Sequence, residues 1–166
     1  MTNTKITHWQ EVQNMMRGYR DAHVMITCAQ LGIFRALATG AQTVSQLAKL
    51  TQTNELALSR LLNAAVALEL LEKEGKSYKN APLAATCLAE EGPFYLGNLI
   101  QREGAFYQRW SYLTEAVRSG QRPEANIRDE GQRNWVLDFE KALFDIARTV
   151  APTITEALTL PTDRPL

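Results

Sequence analysis

The stretch that most constrains this chain runs from Thr43 to Asn80, TVSQLAKLTQTNELALSRLLNAAVALELLEKEGKSYKN, because it encodes two helices, a tight connection and a hairpin with few residues to spare. Thr43 is placed to N-cap the first helix. Gln46, three residues on, completes a capping box, and Val44, Leu47, Ala48 and Leu50 supply the buried side. Asn54 is placed to cap the next helix. From Glu55 onward Leu58, Leu61, Leu62, Ala65, Val66 and Leu68 recur at helical spacing, and the small and apolar residues among them predict a helix covered on more than one face. Leu70 and Leu71 then lead into Glu72 to Asn80. There Lys73-Glu74-Gly75-Lys76 predicts a turn with a glycine at positive φ, and Tyr78 answers across the hairpin.

Helix, turn, helix and hairpin in that order are the layout of a winged helix-turn-helix. The fold class expected is therefore mainly α, with a small β-hairpin wing, flanked by N-terminal dimerisation helices and C-terminal helices. Such a unit raises the question of DNA, and charge answers against it. A helix that docks in the major groove offers Arg, Lys, Asn or Gln to bases and phosphates. From Asn54 to Glu69 the only cation is Arg60, set against Glu55 and Glu69. Lys73, Lys76 and Lys79 on the wing are offset by Glu72 and Glu74, and the whole chain balances 18 basic against 18 acidic residues. The counterion-release term that dominates DNA affinity is then small. The unit reads as a winged helix used for packing, with a DNA-binding transcriptional regulator as the alternative and a plain helical scaffold as a third reading.

At 166 residues the chain is long enough to bury a core without staples, and 45% hydrophobic with 22% charged residues is ordinary for a globular protein. No apolar run approaches the roughly 20 residues that span a bilayer. The polar start MTNTKITHWQ is not a signal peptide, so a cytoplasmic protein is expected. Cys28 and Cys87 lie far apart, without a CxxC or a neighbouring histidine, which predicts buried reduced thiols and no metal site.

Ahead of the central stretch, Thr7 and Gln10 resemble another capping box. They open a helix pair in which Trp9, Val12, Met16, Tyr19 and His23 follow a three-four spacing while Met15, Ala22, Ile26 and Ala29 lie on another side. Two apolar faces on a terminal helix pair exceed what its own chain can cover, which favours a partner chain. The predicted dimer interface comprises Trp9, Val12, Met15, Met16, Tyr19 and Ile26, in a homodimer. Gly18 is expected to kink or divide the pair and Gly32 to end it, with Ile33, Phe34 and Leu37 forming a connecting turn. His8 and His23 have no nucleophile or acid-base partner in the pattern, so no catalytic residue is assigned.

Beyond the hairpin, Ala81-Pro82-Leu83 forbids a continued strand and starts a short helix through Leu88, stopped by Glu90-Glu91-Gly92-Pro93. Phe94 to Arg118 then predicts a long helical stretch carrying Leu96, Leu99, Ile100, Phe106, Tyr107, Trp110, Leu113 and Val117, with Gly97 and Gly104 as breaks or close-approach points. A polar segment to Arg133 has no period and is expected to be a loop. The final helix is expected from about Asn134, through Trp135, Phe139, Ala142, Leu143, Ile146 and Val150, with a kink or new start at Pro152.

The segments GYRDAHVMITCAQLGIFRAL, Thr43 to Asn80, NAPLAATCL, FYQRWSYLTEAVRSG and FEKALFDIA, in this order and spacing, carry a resemblance along nearly the whole chain. It resembles the N-terminal dimerisation region of S-adenosylmethionine-dependent O-methyltransferases of the plant caffeate and bacterial polyketide or phenazine type. The resemblance implies one dimerisation-type domain over 1–166, with the winged helix at 43–80 and C-terminal helices at 94–158, which interlocks with its copy and forms one wall of a small-molecule pocket in natural product biosynthesis. It also implies that S-adenosylmethionine serves the full-length enzyme and is bound by a following Rossmann-like domain. No G-x-G occurs in these 166 residues, so the expectation is that the catalytic domain is absent here and that this chain holds no cofactor, no metal and no catalysis of its own.

Residue by residue, the resemblance carries substrate contact to Ile100, Gln101, Phe139 and Leu143. Phe139 and Leu143 are four apart and share a helix face, as do Ile100 and Gly104, whose missing side chain leaves room for a ring. Read from the residues alone, each of these but Gln101 suits a core position slightly better. Leu143 stands where the family commonly has Met, and the loop from Gly120 to Arg133 is shorter than usual.

Overall fold

The computed structural model describes residues 8–90, 92, 94–121 and 128–158. The chain divides into two compact units, 1–85 and 86–166.

The first unit opens with α1 (Trp9–Gln30). Thr7, expected to cap it, lies outside the described residues; His8 holds the N-cap position and makes no side-chain cap bond. Gly18 does not divide the segment, because α1 is one helix of 22 residues. A lone helix glycine costs about 1 kcal/mol against alanine, which a helix anchored at one end absorbs. Gly32, at φ 71°, ends it as expected, and Ile33, Phe34 and Leu37 follow in and just after a one-turn helix, α2 (Ile33–Ala36). Ile26, Cys28, Ile33, Phe34 and Leu37 are all buried.

Thr43 caps α3 (Val44–Thr51) with the capping box that the sequence specifies, its hydroxyl accepting from Gln46 N–H while the Gln46 carboxamide reaches back to the Thr43 N–H. Asn54 caps α4 (Glu55–Ala67) by accepting from the Ala57 N–H at 2.9 Å. The covered faces of α4 are those carrying Leu58, Leu62 and Ala65. Its end is a Schellman motif: Glu69 takes φ 57°, its N–H bonds the Val66 carbonyl, and the Leu70 N–H reaches the Ala65 carbonyl.

The hairpin follows as β2 (Leu71–Glu74) and β3 (Ser77–Asn80), paired from Leu71 opposite Asn80 to Glu74 opposite Ser77. Gly75 begins the two-residue loop at φ 60°, a conformation that a side chain would strain. The sequence reading did not include a third strand, yet β1 (Gln42–Thr43) pairs with β3 and gives the antiparallel order β1-β3-β2. Two residues are too short to show a period of two. Tyr78 is buried on this sheet, and its hydroxyl donates to the Asn63 carboxamide of α4 at 2.8 Å. Asn80 donates to the Phe34 carbonyl at 2.8 Å and ties β3 to α2. α5 (Pro82–Cys87) ends the run, with Ala84 buried.

The second unit is helical in all its described elements. α6 (Gly97–Trp110) and α7 (Leu113–Ser119) replace the single stretch predicted from Phe94 to Arg118. The break falls at Ser111 and Tyr112, where Ser111 Oγ donates to the Gln108 carbonyl and Tyr112 N–H to the Arg109 carbonyl, tightening the last turn. Gly104 does not interrupt α6. Gly97 is a close-approach point: it is buried at the first turn, and the Tyr95 ring occupies the place a Cβ would take. α8 (Arg128–Ala157) begins before the expected Asn134 and runs through Pro152 without restarting. The loop predicted up to Arg133 is therefore helical from Arg128. The polar run there has no apolar period to reveal it, but its Arg, Glu and Gln are good helix formers.

Candidate functional site

The first candidate surface lies on the leading half of α1. Trp9, Val12, Met15, Met16 and Tyr19 are all exposed, with Trp9, Met15 and Met16 near 70%. Three- and four-residue spacing puts Trp9, Val12, Met16 and Tyr19 on one stripe, with Met15 beside it. Arg20 stacks on the Tyr19 ring at 5.8 Å. Ile26, the sixth residue expected at the dimer face, is placed differently. It is 5% exposed, packed in the core of the first unit with Cys28, so its own subunit already covers it. α1 thus changes character along its length, from an exposed apolar stripe to an anchored core helix.

The second candidate surface is formed by α6 and α8. Ile100 is 5% exposed and faces the core that α6 and α8 share with Ala142. Gln101 is exposed, Phe139 is half-buried and Leu143 is 46% exposed. Arg102 joins the two helices there: its guanidinium lies 5.5 Å from the Phe106 ring and 5.8 Å from the Phe139 ring, and it pairs with Glu103 at 3.0 Å. Three of the four expected acceptor contacts therefore keep accessible surface, while Ile100 stands behind them.

Sequence reasoning passed over the polar residues that order this surface. Asp145 is 2% exposed and accepts from the backbone N–H of Asn98 at 3.0 Å and of Leu99 at 3.2 Å, and from the Asn98 side-chain amide at 3.0 Å. One turn later Arg148 donates to the Tyr95 carbonyl at 2.9 Å. Neither lies near its partner in sequence, so spacing gives no signal for them.

On the first unit, cationic side chains are interleaved with acidic and amide ones. α4 exposes Glu55, Leu56, Arg60 and Asn63, and the Asn63 carboxamide already accepts from Tyr78 and from Lys73 at 3.1 Å. Lys79 lies at 3.1 Å from Glu72 and also bonds Glu74; hydrogen bonds to Glu74 first, then to Glu72, raise its pKa. Two open grooves on this unit, of about 720 and 420 Å³, contain none of the candidate contacts. Among the described residues no cluster of histidine, cysteine and carboxylate has the makings of a metal site. Cys28 and Cys87 are free thiols, Cys28 buried and Cys87 half-buried, and burial pushes the Cys28 thiol up to about 12. No helix among the described residues is long and apolar enough to cross a membrane.

Comparison with known proteins gives these surfaces a context. Residues 13–90 match the family described as the O-methyltransferase dimerisation domain. The chain is 30% identical over 125 residues to an N,N-dimethyltransferase from Streptomyces rimosus, covering 73% of this chain and 36% of that protein. It is 31% identical over 116 residues to acetylserotonin O-methyltransferase from Gallus gallus, covering 62% and 32%. A 3-hydroxy-5-methyl-1-naphthoate 3-O-methyltransferase from Streptomyces sahachiroi is 27% identical over 89% of this chain and 44% of its own length. In three dimensions, human N-acetylserotonin methyltransferase in complex with S-adenosylmethionine superposes with a TM-score of 0.77 at 21% identity, over 96% of this chain and 51% of that one. That likeness shows the fold. The chain spans 32% to 51% of the length of these relatives. The capping box and hairpin of the first unit, the match over residues 13–90 and the shared fold lead to one assignment: residues 13–90 are an O-methyltransferase dimerisation domain.

Proposed function

We propose that this chain is the dimerisation and acceptor-wall part of a methyltransferase that uses S-adenosylmethionine on a small molecule, and that it transfers no methyl group by itself. The observation that carries the reading is the exposed apolar stripe on the first half of α1, in a chain whose residues 13–90 are a dimerisation domain. Burying a large apolar side chain gains about 1.5–3 kcal/mol. A twofold interface counts every residue of the stripe twice, which outweighs an association cost of roughly 4–15 kcal/mol. On this reading β1, α3, α4 and the hairpin form a winged helix-turn-helix whose role is packing, and 1–166 acts as one dimerisation-type region.

The acceptor side of the proposal rests on Gln101, Phe139 and Leu143. They combine one polar contact with an aromatic and an aliphatic surface, a mixture suited to a small molecule with a ring and a hydrogen-bonding group. Relatives named for transfer to oxygen and to nitrogen support an acceptor hydroxyl or amine. The described residues do not fit the methyl donor. Its usual cradle is a glycine-rich turn between a parallel strand and a helix, whereas every described strand here pairs antiparallel in a three-stranded sheet. Donor binding and the base that removes the acceptor proton are assigned to other parts of the enzyme.

The test is a charge placed in the stripe. Met16→Glu, at an exposed position, is expected to leave circular dichroism and the unfolding midpoint near those of the parent while sedimentation shifts from dimer to monomer. A variant that still sediments with the parent contradicts the proposed face.

A further inference from the structure

The polar contacts between α6 and α8 say more about the second unit than its apolar ones do. Among the described residues, the buried apolar side chains that the two helices contribute are Ile100 and Ala142. Apolar burial of this kind is non-directional and by itself specifies the register of one helix on the other only weakly. Asp145 is different. It is buried, and one of its oxygens accepts both the Asn98 and Leu99 N–H groups while the other takes the Asn98 side-chain amide. Leu96, at the N-cap of α6, gives no side-chain bond, so N–H groups of the first turn are met from α8, 46 to 47 residues away. Hydrogen bonds to a buried carboxylate are directional and strong, and α6 cannot slide by a residue without losing them.

We propose that Asp145 is a positioning residue: it sets the register of α6 on α8 in which Gln101 lines up with Phe139 and Leu143 as one acceptor-facing surface. Arg148 acts with it through the Tyr95 carbonyl, just ahead of the same helix start. The functional meaning rests on the acceptor-wall reading above, but the register can be measured with no acceptor present. An acceptor that binds elsewhere therefore sinks that reading and leaves the register standing.

The experiment places spin labels at Ala105 on α6 and Glu140 on α8, both exposed, in a Cys28→Ala, Cys87→Ser background diluted with unlabelled chain, and records the distance distribution. The parent is expected to give one narrow peak. Asp145→Leu fills the space with an apolar side chain but leaves the Asn98 and Leu99 N–H groups without their acceptor, so some stability is lost. It is expected to stay folded while the peak broadens or shifts, a slide of one residue moving the labels by about 1.5 Å and a full turn by about 5 Å. Asp145→Asn keeps the volume and one accepting oxygen, and is expected to restore most of the narrow peak while amide exchange at Leu99 quickens by roughly tenfold. An unchanged peak in folded Asp145→Leu overturns the proposal. If Asp145→Leu does not fold, Asp145→Asn decides: unchanged Leu99 exchange overturns the proposal, and the tenfold change upholds it.

Discussion

The two units of this chain bury apolar surface in opposite proportions. Among the described residues, every buried apolar side chain except Leu88, Ala89, Ile100 and Ala142 lies in the first unit. The second unit instead exposes Trp110, Leu113, Val117, Phe144 and Ile154 among many others. The first is a closed core with an exposed stripe on α1, and the second is a set of helices whose described apolar side chains are largely exposed. A chain that must fold alone does not leave so much apolar surface uncovered. The difference is one of cohesion: the first unit supplies its own core, while α6, α7 and α8 leave many of their described apolar side chains exposed.

The strongest way to break that comparison is to remove a phenylalanine from each side of it. Phe34 is buried at 1% exposure, so Phe34→Ala is expected to cost about 3–5 kcal/mol in chemical denaturation. Phe139 is half-buried against Arg102, so Phe139→Ala is expected to cost about 1–2 kcal/mol, less than half the full-burial value. Equal losses in the two variants would place Phe139 in a closed core and remove it from the acceptor wall.

A smaller effect sharpens the contrast from the first unit alone. The Cys28 thiol has its pKa raised from 9.0 to about 12 by burial. Folded protein then keeps the proton that the unfolded chain releases. This stability is complete below pH 9.0 and is lost as pH climbs toward 12. The slope is about 1.4 kcal/mol per pH unit within that window. Urea titrations at pH 8.5 and 10 should show the loss in the parent, and Cys28→Ala should flatten the slope by about that amount. A parallel decline in the variant would assign the alkaline loss to other groups.

How much of this was legible in the sequence follows the same division. In the first unit local signals coincide with tertiary ones: Thr43 with Gln46, Asn54, and Gly75 in the hairpin each specify an element through bonds a few residues long. The misses there are small. β1 is too short to show a period, and Gly18 is carried by an unbroken helix. In the second unit the helix ends were misread, at Ser111 and at Arg128, because neither end carries a glycine, a proline or a change of hydrophobic period that marks it. The candidate wall was legible only through family resemblance. Its accessible members Gln101, Phe139 and Leu143 lie on the two helices expected, but Arg102 and Asp145 act across 37 and 46 residues to partners that no local pattern names. Helical spacing puts Ile26 on an apolar face, and spacing does not tell a face covered by its own subunit from one covered by a partner; Ile100, given to the wall by resemblance, takes the core position that its residue type also suits.

The account stands or falls on whether the open stripe of α1 is covered by a second copy. Light scattering coupled to gel filtration, at micromolar concentration and moderate salt, reads the mass directly. The expected result is twice the mass of the chain, constant on dilution through the micromolar range, as an obligate interface of a few thousand Å² requires. A mass equal to one chain, with Trp9, Met15 and Met16 still exposed to solvent, would contradict it.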